Sequence, residues 1–318
     1  KAQERAALAR LDAAGADAAA VRLALLAEVA GTVIDWRTLQ ARRNALSEDL
    51  VAAETLVTRT DMRERAGIAP GFDRVRAETA AEASRSRIAA LASEEARIVG
   101  RLVTLTGMGG QAVRAVLAAE HDAMAARSAP AALPAQLLAS RPDVLAAQAR
   151  LAASDADLAA SAARRFPQLT LSAALGVLAF DLSDLFDGDA VVGSAGASLL
   201  APLFDFGRIE AEINASAANK RAAFQAYRGA VFAALGDAEA AYGLIAAADE
   251  EAGAAAREAA SADRAAQLAE FRFRAGLENF LAVLEARRAA DASGERAAAA
   301  RGRADRARGR GRSSGAGG

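Results

Sequence analysis

Arg141-Pro142-Asp143-Val144, followed by an alanine-rich run and then by Phe166-Pro167-Gln168-Leu169-Thr170-Leu171-Ser172-Ala173, is the stretch that decides the fold. Its first part has the pattern of a helix. Its last part alternates apolar and polar residues with the period of two that a strand requires. Almost all of the remaining sequence is helical in pattern, so this stretch predicts a strand whose partners a simple helical bundle does not supply.

The alternation predicts two strands, over about 166–176 and 193–204. The apolar positions proposed to form a barrel wall are Leu169, Leu171, Ala173, Leu175, Leu199 and Leu203. Each strand has about ten residues, which suits a tilted transmembrane β-strand. Because a membrane permits no open sheet edge, strands in a membrane would have to be closed by further strands, from a missing repeat and from other subunits. A hairpin that caps a soluble bundle is the alternative.

Composition favours long, thin helical packing over a compact sphere. The chain has 318 residues and is 53% hydrophobic, but aromatic residues make up only 4% and alanine supplies much of the rest. Alanine buries little area per side chain, yet it is the best helix former and lets helices approach closely. The net charge is −1 with both signs interspersed, so no general nucleic-acid footprint is present.

An internal repeat without gaps runs through the sequence at an offset of 209. Arg65-Ala66-Gly67-Ile68 recurs as Arg274-Ala275-Gly276-Leu277, and Leu26 corresponds to Leu235. Because the register is unbroken over about sixty positions, the interpretation of the whole fold depends on this repeat. It divides the chain into a first helical repeat, 1–132, and a second repeat, 133–300, with the two strands.

In the same register Lys1 corresponds to Glu210, just after Asp205-Phe206-Gly207-Arg208-Ile209. The second copy is preceded by a helix and two strands, whereas nothing precedes the first. We therefore expect that the first helix, the first strand pair and any export signal are missing before Lys1.

The helices are unusually long. Apolar residues recur every three or four positions, which is close to coiled-coil spacing, and each long helix runs to its Arg-Ala-Gly turn. Two shorter helices, about 72–105 and 142–165, add up to nearly one long helix, with a break near 107–140. The stretch 301–318 carries six arginines among glycine and serine. Its composition predicts a disordered basic tail.

These motifs resemble the outer-membrane efflux proteins of the TolC superfamily, and most of all the NodT-type channel subunits. The match rests on Arg-Pro-Asp-Val, Phe-Pro-Gln-Leu-Thr-Leu-Ser, Pro202-Leu203-Phe204-Asp205-Phe206-Gly207-Arg208 and both Arg-Ala-Gly turns. The resemblance implies a mainly α fold with a two-fold repeat, in which long antiparallel helices form an α-barrel tunnel. A small transmembrane β-barrel in outer-membrane lipid completes it, as a homotrimer.

The resemblance also implies contacts at the two turns. In that family, the turns that join the long helices, here called the tips, are docking points for a periplasmic adaptor protein. Carried over, this role falls on Arg65, Ala66, Gly67 and Ile68 in the first copy, and on Arg274, Ala275, Gly276 and Leu277 in the second. Glycine permits the tight turn and the close approach of another helix. A simple turn between helices is the alternative.

Acidic residues past the second tip commonly line a constriction in this family. Glu285, nine residues after Gly276, is the candidate here, and Asp73 holds the position six residues after Gly67. Ala282 stands where an aspartate is common, so the constriction is weaker or differently arranged. A ring of three carboxylates favours cations. An ordinary exposed helical glutamate is the alternative for Glu285.

No enzyme, cofactor or metal site is expected. The chain has no cysteine and one histidine, His121, which the sequence places in a polar linker. Without cysteine, thiolate chemistry and cysteine-type zinc sites are excluded. Lipoproteins of the family are acylated at an N-terminal cysteine, so this sequence does not decide lipidation.

The function implied is a passive exit duct in the outer membrane of a Gram-negative bacterium, extending into the periplasm. Substrate would be delivered by an inner-membrane pump, of the RND type, through the adaptor. A periplasmic coiled-coil adaptor or scaffold without a pore is the alternative, but it leaves the alternating strands unexplained.

Overall fold

The computed structural model describes residues 1–119, 140–177, 191–202 and 204–315. His121, residues 178–190 and Leu203 lie outside this part of the chain. In chain order, the elements are α1 (Ala2–Arg65), α2 (Gly71–Thr106), α3 (Gly110–Ala118), α4 (Pro142–Ala163), β1 (Gln168–Val177), β2 (Val191–Leu200), α5 (Arg208–Arg274) and α6 (Phe280–Gly315).

Proline marks where these elements begin and end. Neither α1, with 64 residues, nor α5, with 67, contains a proline. Pro70 is the N-cap residue of α2 and Pro142 is the first residue of α4, where the missing N–H costs nothing. Pro167 precedes β1 and Pro202 follows β2. Alanine between these points provides the helix propensity that keeps α1 and α5 continuous.

Helix boundaries recur at the offset of 209. The last residues of α1 and α5 are Arg65 and Arg274. The helices that follow, α2 and α6, each have 36 residues and begin at Gly71 and Phe280. The repeat seen in the sequence is therefore also a repeat of helix lengths and turns.

Contacts divide the chain differently from the sequence repeats, into two compact units. The first unit comprises residues 1–17 and 142–231, and thus α4, the hairpin β1–β2 and parts of α1 and α5. Its helical core is mostly alanine, with Ala6, Ala146 and Ala153 buried. Ion pairs flank this thin core, including Arg10–Asp157 at 2.6 Å and Arg164–Glu212 at 2.7 Å.

The second unit comprises residues 18–141 and 232–318. One apolar cluster joins α1, α2 and α3 through Leu39, Leu46, Leu91, Ile98, Val99, Leu102 and Val113. A second cluster joins the ends of α1, α2, α5 and α6 through Leu56, Ala77, Phe273, Phe280, Val283 and Leu284. Four helices therefore meet next to the two Arg-Ala-Gly turns.

Apolar side chains also remain exposed on both long helices. Leu26 on α1 is 58% exposed, and its repeat equivalent Leu235 on α5 is 45% exposed. Among the described helices, α5 alone is long and apolar enough by composition to cross a membrane, a property that core helices of soluble proteins share. A single chain thus leaves helix faces without a partner.

The prediction of a disordered tail over 301–318 is wrong for 301–315, which continue α6. Glu251 accepts a hydrogen bond from Arg303 at 2.6 Å, and Asp249 accepts one from Arg308 at 2.7 Å. Ala300 and Ala304 are buried. These partners lie some fifty residues or more away in the sequence, so local composition did not reveal them.

Both predicted strand ranges also need correction. The first, 166–176, begins two residues too early, because Phe166 bonds back to Ala163 in a turn and Pro167 has no N–H for a ladder. The second, 193–204, starts too late and ends too late. Val191 and Val192 extend the observed strand, and it stops at Leu200, two residues before Pro202.

Candidate functional site

The two turns that the sequence singled out have the same backbone geometry. Gly67 has φ 71° and Gly276 has φ 74°. The N–H of Gly67 bonds to the carbonyl of Glu64 and that of Ile68 to Arg63, both at 2.9 Å. This pair of bonds is the Schellman motif, which requires a left-handed residue after the helix.

The second turn repeats these bonds at the equivalent positions. Gly276 N–H bonds to the carbonyl of Phe273 at 3.0 Å, and Leu277 N–H bonds to that of Arg272 at 2.9 Å. A Cβ at Gly276 would meet no atom within 4 Å, so the glycine is required by its φ and not by crowding.

Each turn presents a large apolar side chain to solvent. Ile68 and Leu277 occupy the same place in the two motifs, and each is 69% exposed. The apolar residue at this place commonly packs back on the helix one turn earlier. Here the positions it would cover are Arg63 and Arg272. The tips therefore offer two apolar contacts that the described chain does not use itself.

The two turns are held next to one another. The Arg63 guanidinium lies 4.6 Å from the centre of the Phe273 ring, and Phe273 packs on Phe280 with the ring centres 5.9 Å apart. Glu270 on α5 accepts hydrogen bonds from Arg59 at 2.7 Å and from Arg287 at 2.8 Å. Cation–π and ionic contacts thus link the two repeats at their tips.

Both candidate constriction residues lie in the first two turns of the helices after the tips. Glu285 on α6 is exposed and Asp73 on α2 is half-buried. Neither forms an ion pair with another residue in the described part of the chain. The charges of these two carboxylates are therefore not compensated by an ion pair within the described residues.

The hairpin separates apolar from small polar residues. Leu169 pairs with Leu199, Leu171 with Ala197, and Ala173 with Ala195, which gives one apolar face. Thr170 with Ser198, Ser172 with Gly196 and Ala174 with Ser194 form most of the other face. Side chains on both faces are exposed, including Leu171 on the apolar face and Leu200 on the other face, each by 75%. Leu203, also proposed for the apolar wall, lies outside the described residues.

The junction between β2 and α5 holds features that the sequence patterns did not reveal. Asp205 caps α5, accepting hydrogen bonds from the N–H groups of Ile209 at 2.9 Å and Gly207 at 3.3 Å. These backbone bonds lower the pKa of Asp205 below its usual value. Phe206, with φ 51°, is in the left-handed region and is fully exposed. Bulky residues rarely adopt that conformation, so the turn holds its aromatic ring outward under strain.

A second feature that sequence reasoning missed is a small cavity in the second unit that both Asp49 of α1 and Asp291 of α6 line. They stand 242 positions apart, and no local pattern brings them together. Within the described ranges, no group of three or more His, Asp or Glu is arranged to hold a metal ion.

Comparison with known proteins gives a family match. The family model described as outer membrane efflux protein matches residues 1–108 and 133–310. The pyoverdine export outer membrane protein OpmQ of Pseudomonas aeruginosa is 33% identical over 291 residues, which is 91% of this chain. The chain spans 60% of the length of OpmQ.

Solved structures share the fold. A membrane protein from Pseudomonas aeruginosa superimposes with a TM-score of 0.84 at 28% identity, covering 99% of this chain and 70% of that one. The outer-membrane channel OprN gives 0.85 at 28% identity, with 100% and 71% covered. The TolC-like, mainly helical fold class predicted from the sequence is confirmed. The chain belongs to the outer membrane efflux protein family, and thereby to the cell outer membrane with an extension into the periplasm.

Proposed function

We propose that the chain is the outer-membrane channel subunit of a tripartite efflux system, acting as a passive exit duct and not as an enzyme. The observation that carries this proposal is the hairpin. Its register puts mainly leucine and alanine on one face, and on the other mainly threonine, serine and glycine with Leu200 at one end. A membrane barrel with a wet interior needs such an apolar outer face and a more polar inner face.

A hairpin with two free edges cannot remain open in lipid, because each unpaired backbone group there costs several kcal/mol. Closure by strands of further copies, in a homotrimer, satisfies those groups. The apolar faces left exposed on α1 and α5 support the same assembly.

The tips supply the partner contacts in this proposal. A periplasmic adaptor docks on the two glycine turns, where Ile68 and Leu277 provide apolar anchors beside Arg65 and Arg274. An inner-membrane pump of the RND type delivers the substrate through that adaptor. Glu285, together with Asp73, forms the carboxylate constriction of the duct.

Single-channel recording of the full-length protein in a planar bilayer tests the proposal. We expect stepwise conductance and, in a salt gradient, a reversal potential that shows preference for cations. Glu285→Gln should reduce that preference without abolishing conductance. A protein that stays a water-soluble monomer and never inserts would refute the duct and favour a scaffold without a pore.

A further inference from the structure

One guanidinium group at the first tip has no acidic partner within the described residues. Arg63, in the last turn of α1, forms no ion pair there, and its Nε atom is buried without a hydrogen-bond acceptor. The acidic side chains next to it in the sequence bind other arginines. Asp61 pairs with Arg65 at 3.0 Å, and Glu64 pairs with Arg74 at 2.8 Å. The described part of the chain therefore leaves the charge of Arg63 uncompensated.

An aromatic ring positions this guanidinium group. The Cζ atom of Arg63 lies 4.6 Å from the centre of the Phe273 ring, and that ring packs on Phe280. The face of a ring attracts a cation but has no net charge, so it does not replace a carboxylate. Arg63 is half-buried, so part of the residue still faces solvent. It is thus a positioned cation that an acidic group from outside the chain can reach.

The second tip shows what the first one lacks. Arg272 is equivalent to Arg63 at the offset of 209, and it lies in the last turn of α5. Its guanidinium group pairs with Glu278, just beyond the same turn, at 3.6 Å. The position equivalent to Glu278 in the first tip is Ala69, which carries no charge. Because the two turns share their backbone hydrogen bonds, the missing carboxylate is a difference in side chains and not in the fold.

A partner that docks on the tip can supply this carboxylate. The N–H of Ile68 bonds to the carbonyl of Arg63 at 2.9 Å, so the exposed side chain of Ile68 and the uncompensated cation belong to one turn. This surface is complementary to one that carries an acidic side chain beside an apolar one. A second copy of the chain would pack along the sides of the helices, whereas this turn lies where α1 ends.

We propose that Arg63 binds an aspartate or glutamate side chain of the periplasmic adaptor, which takes at the first tip the place that Glu278 has at the second. A guanidinium group offers parallel N–H donors to both oxygens of a carboxylate, which gives such a contact direction as well as charge. The two tips then recognise the adaptor differently, because only the first needs an acidic residue from it. This inference rests on the proposed docking of an adaptor at the tips.

The test measures the affinity of the purified adaptor of the same efflux system for the full-length channel in detergent, at low and at high salt. Arg63→Gln should raise the Kd about tenfold at low salt and weaken its dependence on salt, because a charge pair is lost. Arg272→Gln is the matched control, since Glu278 already pairs with that arginine. It should change the Kd by less than about twofold.

A second variant tests the inference while Arg63 stays in place. Ala69→Glu adds to the first tip the carboxylate that the second tip already has, so Arg63 gains a partner within its own chain. We expect the Kd to rise and its salt dependence to weaken, as in Arg63→Gln. Ala69→Gln has a side chain of the same size without the charge, and it should bind the adaptor more tightly than Ala69→Glu. Thermal unfolding checks that each variant is folded.

Wild-type affinity in both Arg63→Gln and Ala69→Glu would overturn the inference and leave the docking of an adaptor at the tips intact. Failure of that docking has a different result, because the wild type would then not bind the adaptor, or Gly276→Arg would bind it normally. If Arg63→Gln dissociated the channel oligomer and the remaining oligomers bound the adaptor as the wild type does, the carboxylate would belong to a second copy. That result would also overturn the inference.

Discussion

At the residue scale, substitutions of Gly276 allow the conformational requirement of the backbone to be tested separately from contact with a partner protein. Its φ of 74° is needed for the Schellman turn, and the space around it is open. Any L-residue there costs about 1–2 kcal/mol, although asparagine tolerates the left-handed region better than most. The turn therefore accepts a new side chain at a small cost in stability.

We predict that Gly276→Arg abolishes efflux while the protein still folds and assembles, because a bulky cation blocks the approach of the adaptor helices. Gly276→Asn is the matched control and should retain most of the transport, since it imposes a similar backbone change without the charge. Efflux and co-purification of the adaptor from cells are the measurements. Normal transport by Gly276→Arg would show that this turn is not a docking point.

At the element scale, the close approach of α6 to α1 depends on Gly302. A Cβ at this position would lie 2.9 Å from Cβ of Thr38 and would clash with Oγ1 of the same side chain. We predict that Gly302→Ala destabilises the protein by about 1–3 kcal/mol through overpacking. Gly294 lies in the same helix, and a Cβ there would meet no atom within 4 Å, so Gly294→Ala should stabilise by about 0.5–1 kcal/mol. Chemical unfolding of both variants checks this, and equal effects would contradict it.

Helix α6 also shows which features could not be predicted from the sequence. Periodicity and glycine punctuation located the helices and both tips, because those signals are local. The continuation of α6 over 301–315 was missed, since its arginines pair with Asp249 and Glu251 on another helix. The cavity that Asp49 and Asp291 share was missed because the two residues are far apart in the sequence. Long-range electrostatic contacts leave no periodic trace in the sequence.

At the scale of the whole molecule, the hairpin and the long helices share one property, which is apolar surface without a partner. The alternation in the sequence predicted an apolar and a more polar hairpin face, and in the register Leu169 pairs with Leu199 and Thr170 with Ser198, with side chains on both faces exposed. Leu26 and Leu235 are exposed at equivalent places in the two repeats. A second copy of the chain that covers one repeat with the other would bury both at once, with about 1.5–3 kcal/mol from each leucine fully buried.

We therefore predict that Leu235→Glu shifts the detergent-extracted protein from the proposed trimer towards monomer, because assembly would bury an unpaired carboxylate against apolar side chains. Ala240→Glu is the matched control. It adds the same charge to an exposed position of α5, five residues on and so on a different face of the helix, and it should leave the trimer intact. Native mass spectrometry reads the stoichiometry of both variants. If Leu235→Glu remained fully trimeric while Ala240→Glu dissociated, the contact between copies would lie on the opposite face of α5, and the repeat-to-repeat packing inferred from Leu26 and Leu235 would be wrong.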